Sequence, residues 1–131
     1  MTVWSVYYIV HSMNENVFGS CIRERRLALR ADDRAFSLRG VAQAIGVEPS
    51  YLSKVERGLQ PPPSEHTVRA LAGALGEDPD MLLALAGKVS SDLLRVIRRR
   101  PQLFAQLIRQ LDQLPDHAVL RIVREVRDGT W

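Results

Sequence analysis

Apolar residues recur at helical spacing along most of the chain. Over residues 38–45 the apolar positions fall at i, i+3, i+4 and i+7, which places them on one face of a helix. The same spacing recurs over residues 68–75, and a rougher amphipathic pattern covers residues 17–30. This pattern predicts an all-α protein.

Capping residues set the expected ends of the first five helices. Ser37, Ser64 and Asp78 suit the N-cap position, because their side-chain oxygens can accept a hydrogen bond from an amide of the first turn. Gly46 suits the left-handed residue that ends a helix, and Pro49 suits a first turn. Counted with their caps, the predicted helices run over 17–30, 37–46, 49–58, 64–76 and 79–88, and the sequence ADDRAF is a polar break between the first two.

The residues after Lys88 predict three more amphipathic helices, each beginning at a Ser or a Pro. Their sequences are SSDLLRVIRRR, PQLFAQLIRQLDQL and PDHAVLRIVREVRDG. Because roughly forty residues are few for an independent core, we expect these helices to pack on the first five, on a second chain, or on both. A core formed within this chain alone is the simpler alternative. The chain thus divides into segments 1–16, 17–87 and 88–131.

The first residues, MTVWSVYYIVHS, are apolar but too short a run to span a bilayer, and they lack the charged region and cleavage site of a signal peptide. Three interpretations stay open. The segment is an arm used in dimer contacts, a flexible tail, or an extension upstream of a natural start at Met13. We expect an arm or tail at 1–16 and no membrane anchor.

Charge and cysteine content narrow the function further. The net charge is only +3, but 16 of the 18 basic residues are Arg, with clusters in residues 23–39 and 95–100. Such clusters permit a nucleic-acid partner without requiring one. The single cysteine, Cys21, excludes an internal disulfide, and we expect it to be a half-buried filler in a cytoplasmic protein.

Motifs of catalysis and metal binding are missing from the sequence. His11, His66 and His117 are scattered, and no HExxH, GxSxG or glycine-rich phosphate loop occurs. The sequence therefore predicts no enzyme activity, no metal site and no cofactor.

The helix predicted over 49–58 is unusually polar for a core helix. Leu52 and Val55 form its narrow apolar stripe, and a three-residue turn containing Gly46 joins it to the preceding helix. Two helices joined in this way are typical of a helix-turn-helix. A helix anchored by one narrow stripe can insert its polar side into the major groove of DNA, where side chains reach base edges.

The stretch SLRGVAQAIGVEPSYLSKVERGLQPPPSEHTVRALAGALGEDPDMLL resembles the Cro/Xre family of bacterial and phage transcriptional regulators, which includes the lambda repressor. The likeness covers about residues 22–86. The motif positions are Val41, Ala42, Gly46, Val55, Glu56, Arg57, Gly58, Pro63, Ser64, Ala72 and Leu75. The resemblance implies a lambda-repressor-like five-helix bundle with a helix-turn-helix, here followed by about three C-terminal helices.

The resemblance also implies roles for individual residues. The DNA-binding set carried over by position is Ser37, Arg39, Pro49, Ser50, Tyr51, Ser53, Lys54 and Arg57. Lys54 is the best candidate for a guanine contact, whereas Tyr51 is open to either a DNA contact or packing. Pro49 and Leu38 depart from the family's hydrogen-bonding residues, and ADDRAF is longer than the family's usual link. Arg26 and Glu56 are expected to form a structural ion pair.

The resemblance implies a sequence-specific DNA-binding transcriptional regulator, expected to be a repressor that binds an inverted repeat in double-stranded DNA as a homodimer. We expect it in the cytoplasm, associated with the nucleoid. An alternative from a different class is an antitoxin or mobile-element control protein. In that case the C-terminal helices bind a cognate partner protein.

Overall fold

The computed structural model describes residues 16–131, so the apolar segment MTVWSVYYIVHS lies outside the described residues and its predicted roles stay predictions. The described residues form eight α-helices and one 3-10 turn, with no strand among them, which confirms the all-α prediction. The helices are α1 Val17–Arg30, α2 Leu38–Ile45, α3 Pro49–Glu56, α4 Glu65–Leu75, α5 Pro79–Leu85, α6 Ser91–Arg99, α7 Pro101–Asp112 and α8 Asp116–Asp128, and the 3-10 turn is Arg34–Phe36.

Most of the predicted caps form. Ser37 Oγ accepts a hydrogen bond from the Gly40 amide at 3.0 Å, and Asp78 Oδ1 accepts one from the Asp80 amide at 3.0 Å. Ser64 precedes α4 as predicted, but its side chain caps no backbone amide. Its hydroxyl instead donates to the Thr67 hydroxyl at 3.4 Å, so the start of α4 lacks the side-chain cap that the sequence suggested.

The link between α1 and α2 is more ordered than a polar break. Asp33 Oδ1 accepts a hydrogen bond from the Ala35 amide at 2.9 Å, which starts the 3-10 turn. Phe36 at the end of this turn is half-buried and packs against the core. The link therefore contributes an apolar side chain as well as a connection.

Residues 16–90 and 91–131 form two compact units. The first unit contains α1 to α5 around one hydrophobic core. Its buried apolar side chains are Phe18, Cys21, Ile22, Val41, Ala42, Leu52, Val55, Val68, Leu71, Ala72, Leu75, Leu82 and Leu83. All five helices contribute, so each helix position in this unit is fixed by burial rather than by local preference alone.

Cys21 is fully buried, so the expectation of a half-buried filler is wrong. It lies between Phe18 and Ile22 on the inward face of α1, where a small apolar side chain fits. Burial, with a smaller contribution from the negative charges of Glu77 and Glu24, raises the pKa of the Cys21 thiol to about 12.

The second unit contains α6 to α8 and has no fully buried side chain. Each helix exposes large apolar residues, which are Leu93, Leu94, Val96, Leu103, Leu107, Ile108, Leu120, Val123 and Val126. The arginines of residues 95–100 are exposed as well, and Arg95 contacts Asp92 one helical turn earlier. None of the described helices is both long and apolar enough to cross a bilayer.

Candidate nucleic-acid interface

A tight turn of three residues joins α2 to α3. Gly46 has a left-handed backbone (φ 77°), and its amide donates to the Gln43 carbonyl at 3.2 Å. The Val47 amide donates to the Ala42 carbonyl at 2.9 Å, which completes the hydrogen bonding at the end of α2. Pro49 then occupies the first turn of α3, where its missing N–H costs no hydrogen bond. Glycine and proline thus fix where α3 begins relative to α2.

The inward side of α3 is held by two apolar side chains. Leu52 is 1% exposed and Val55 is 2% exposed. The approach of α1 to this side is unusually close at Gly19. A Cβ atom there would lie 2.3 Å from the Val55 carbonyl oxygen and 2.8 Å from the Glu56 carbonyl oxygen. Only glycine allows the backbones of α1 and α3 to come this near.

The structure brings Arg26 and Glu56 together beneath α3. Arg26 Nε donates to Glu56 Oε2 at 2.7 Å, and Arg26 Nη2 donates to Glu56 Oε1 at 2.9 Å. Both side chains are buried, so each charge depends on the other for neutralisation. Arg26 Nη1 also donates to the Phe36 carbonyl at 3.3 Å. This side chain therefore joins α1, the 3-10 turn and the end of α3.

Asn16 adds a second bond to the end of α3. Its Nδ2 donates to the Glu56 carbonyl oxygen at 3.0 Å, across forty positions of sequence. Sequence reasoning did not select Asn16 or Gly19 as positioning residues. An isolated glycine within a helical pattern was a usable signal for Gly19, because such residues often mark close packing. An asparagine before a helix looks like an ordinary cap, so Asn16 carried no distinguishing signal.

The outward side of α3 presents a line of exposed polar side chains. Ser50, Lys54 and Arg57 follow one another at i, i+4 and i+7, and all three are exposed. Arg57 Nε donates to the Ser53 carbonyl at 3.3 Å, so its guanidinium lies back along the helix. Because the opposite side is buried, these residues are positioned by a rigid helix rather than by a loop.

The other residues of α3 that sequence analysis selected are less accessible. Pro49, Tyr51 and Ser53 are half-buried, and Tyr51 packs against the edge of the core. Tyr51 thus has a packing role, and its remaining surface is free to meet a ligand.

The start of α2 contributes two further selected residues. Ser37 is half-buried and uses its hydroxyl oxygen as the cap of α2, whereas Arg39 is exposed. The first turn of a helix carries amides without intrahelical partners and the positive end of the helix dipole. This end of α2 is chemically suited to an anionic group such as a phosphate.

The exposed polar side chains along α3 have the chemistry to bind an anionic or hydrogen-bonding partner. No three His, Cys, Asp or Glu side chains within residues 16–131 converge as a metal site. From Ser50 to Arg57 the exposed polar groups are hydroxyls and cations, which can donate hydrogen bonds to base edges and phosphates.

A comparison with known families agrees with this geometry. A family profile described as a helix-turn-helix domain matches residues 18–85, a range of 68 of the 131 residues that includes all of α2 to α5 and nearly all of α1. No curated protein and no solved structure matched the chain. Helix-turn-helix domains of this kind bind DNA and are typically not enzymes. The chain therefore belongs to a Cro/Xre-like family of helix-turn-helix domains.

Proposed function

We propose that this protein is a sequence-specific regulator of transcription that reads its operator with α3. The observation that carries the proposal is the exposed line of Ser50, Lys54 and Arg57 on a helix whose opposite side is buried. A helix of this width fits the major groove of B-DNA, where each base pair presents a distinct pattern of donors and acceptors. A rigid support keeps the readout geometry fixed.

In this proposal the side chains of the first turn and the exposed side of α3 contact the bases. Lys54 donates to the O6 and N7 acceptors of a guanine, which are both on the major-groove edge. Ser50 and Ser53 carry hydroxyls that both donate and accept, so they add affinity with little discrimination between bases. Pro49 offers only an apolar surface, and the exposed part of Tyr51 suits a thymine methyl group or a phosphate.

Phosphate contacts position α3 in the groove. Ser37 and Arg39 present the start of α2 to one phosphate, and Arg57 reaches the backbone near the end of α3. Arg26 and Glu56 contact no DNA in this proposal. Their buried ion pair holds the end of α3 against α1, so that the reading side chains keep their register.

The regulator acts as a homodimer on an inverted repeat and represses by covering a promoter. In this proposal residues 17–87 bind DNA and residues 88–131 dimerise. The exposed apolar side chains of α6 to α8 support this division, because large apolar residues that recur in the exposed state along three helices favour an interaction site. Two copies of α3 then enter successive major grooves about 34 Å apart. A DNA-bound repressor of this kind resides in the cytoplasm, at the nucleoid.

The same apolar faces favour a second candidate function. An antitoxin or mobile-element control protein uses such a surface to bind a cognate protein, and DNA binding can coexist with that role. The two candidates differ in what covers α6 to α8. A purified chain that is a dimer at micromolar concentration supports the homodimer, whereas a chain that stays monomeric until its cognate protein is added supports the second candidate.

The direct test of DNA reading is an equilibrium titration. Duplexes are selected from a randomised pool by the purified full chain, and the best sequence is then titrated beside a scrambled duplex at the same ionic strength. A specific regulator binds the selected duplex at least roughly a thousandfold more tightly. Equal affinity for the two duplexes contradicts the proposal.

A further inference from the structure

Glu48 stands at the leading end of α3, and its carboxylate has no structural role there. The residue holds the N-cap position with an extended backbone (φ −71°, ψ 140°), and its side chain makes no capping hydrogen bond. It is exposed, and among the described residues its carboxylate forms neither a hydrogen bond nor an ion pair. Short side chains such as Ser or Asp cap helices well, so a cap does not explain a glutamate at this position.

The charge of Glu48 is unusual for a surface that approaches DNA. Residues 37–58 contain two acidic residues, Glu48 and Glu56. Glu56 is buried and neutralised by Arg26, whereas Glu48 is exposed and uncompensated. A carboxylate beside a phosphate is repelled, because both groups are negative. On a DNA-facing surface, the Glu48 carboxylate weakens binding unless it accepts a hydrogen bond from a donor on the DNA.

The major groove offers such donors at two bases. Cytosine presents its N4 amino group and adenine presents its N6 amino group. The adenine donor lies beside the N7 acceptor, whose lone pair repels a carboxylate, whereas cytosine has no acceptor on that edge. The first residues of a recognition helix are also those that meet base edges. A glutamate in this position therefore suits cytosine.

We propose that Glu48 is a specificity-determining residue that accepts a hydrogen bond from the N4 amino group of one cytosine in each operator half-site. This inference rests on the proposed function, since it assumes that α3 lies in the major groove. The proposal requires two base pairs of different hydrogen-bonding character in each half-site. Lys54 needs an acceptor-rich guanine edge, and Glu48 needs a donor edge at a separate base pair.

Substitutions at Glu48 separate base reading from simple charge. Because the side chain makes no intramolecular bond, Glu48→Ala and Glu48→Gln should fold as the wild type does, which thermal unfolding checks. Glu24→Ala is the matched control, since Glu24 is also exposed but lies on α1, outside the helix-turn-helix of α2 and α3. Each full-length protein is titrated against the selected duplex and against duplexes in which one half-site position at a time is replaced.

In the wild type, replacing the cytosine that meets Glu48 should weaken binding by roughly tenfold. In Glu48→Ala all bases at that one position should be bound about equally well, while the base preferences at the other positions persist. Glu48→Gln should switch the preferred base at that position to adenine, because a carboxamide can pair with both N6 and N7. Glu24→Ala should keep every preference of the wild type.

A Glu48→Ala protein that retains all base preferences and binds every duplex more tightly by the same factor overturns the inference, because Glu48 then acts through charge alone. That result leaves the proposed function standing, since the wild type still selects a sequence. A wild-type protein that selects no sequence overturns the proposed function, and this inference with it.

Discussion

At the scale of single residues, we propose that Lys54 reads a base. Its side chain is exposed on α3 and forms no hydrogen bond or ion pair with the described residues. We expect Lys54→Ala to weaken binding to the selected operator by about 1–3 kcal/mol and to relax the preference for guanine at one position. The measurement is a titration with the operator and with its guanine-substituted variants.

Arg30→Ala is a suitable control for Lys54→Ala, because it removes one exposed positive charge from the end of α1. A loss of equal size in both variants, without a change in base preference, would show that Lys54 acts only as a charge. Equal unfolding midpoints would show that neither substitution disturbs the fold.

Cys21 provides a residue-scale test of the core. Its pKa is raised to about 12 by burial, from an ordinary value of 9.0. Below pH 9 the thiol is neutral in the folded and unfolded chain alike. Above that pH the unfolded chain ionises first, so this residue lowers the free energy of unfolding as the pH rises from about 9 to about 12.

The expected outcome is slow alkylation of Cys21 by iodoacetamide in the native protein at pH 9, and fast alkylation once the chain is unfolded by guanidinium. The reagent attacks the thiolate, and the folded core suppresses both the thiolate and the access to it. Equal rates in the two states would contradict the buried position of this side chain.

At the scale of helices, the packing of α1 against α3 sets the position of α3. Gly19 is the point of closest approach, whereas Gly73 in α4 is exposed and an added Cβ there meets no atom within 4 Å. We expect Gly19→Ala to lower the free energy of unfolding by about 1–3 kcal/mol through overpacking. Gly73→Ala should raise it by about 0.5–1 kcal/mol, because alanine favours the helix.

Urea denaturation of the two variants measures this contrast directly. Gly19→Ala should also weaken operator binding, since α3 must shift to admit the methyl group, whereas Gly73→Ala should leave binding unchanged. Two variants with the same sign of stability change would contradict the close approach of α1 and α3.

The helix pattern was predictable from sequence because its causes are local. Ser37 acts through its capping hydroxyl, and Gly46 and Pro49 act through their backbone preferences, so both ends of α2 and the start of α3 follow from the residues themselves. Leu52 and Val55 indicated the buried side of α3 through their spacing, and Ser50 and Lys54 lie exposed on the other side. The lambda-like bundle came from the family resemblance rather than from the spacing.

The missed features have causes that are distant in sequence. The bond from Asn16 to the Glu56 carbonyl and the contact of Gly19 with α3 depend on how two helices cross. The 3-10 turn in ADDRAF packs Phe36 against the core. The two aspartates of that stretch indicated a polar loop, so the sequence did not predict this packing. The sequence did not indicate a role for Glu48, because a charged surface residue cannot be told from an ordinary solvated one until its neighbours are known.

At the scale of the whole molecule, we propose that the unit of α6 to α8 sets the oligomeric state. Leu107 and Ile108 on α7 are 48% and 57% exposed, although leucine and isoleucine usually lie in a core. We expect the double substitution Leu107→Glu with Ile108→Glu to convert a dimer to a monomer and to weaken operator binding strongly. Sedimentation equilibrium measures the mass.

Gln102→Glu with Gln106→Glu is the matched control, because it adds the same charge to the polar side of α7, where both residues are exposed. This variant should stay dimeric and bind the operator normally. If both double variants remain dimeric, the apolar face of α7 is not part of the contact between copies.

The central claim is that α3 lies in the major groove of a specific operator, and methylation interference at guanine N7 tests it most directly, because that atom is on the major-groove edge. The account predicts that methylated guanines block binding in two half-sites about one helical turn apart. In Lys54→Ala the interference should disappear at one guanine of each half-site. A selected operator on which no methylated guanine affects binding would contradict the claim.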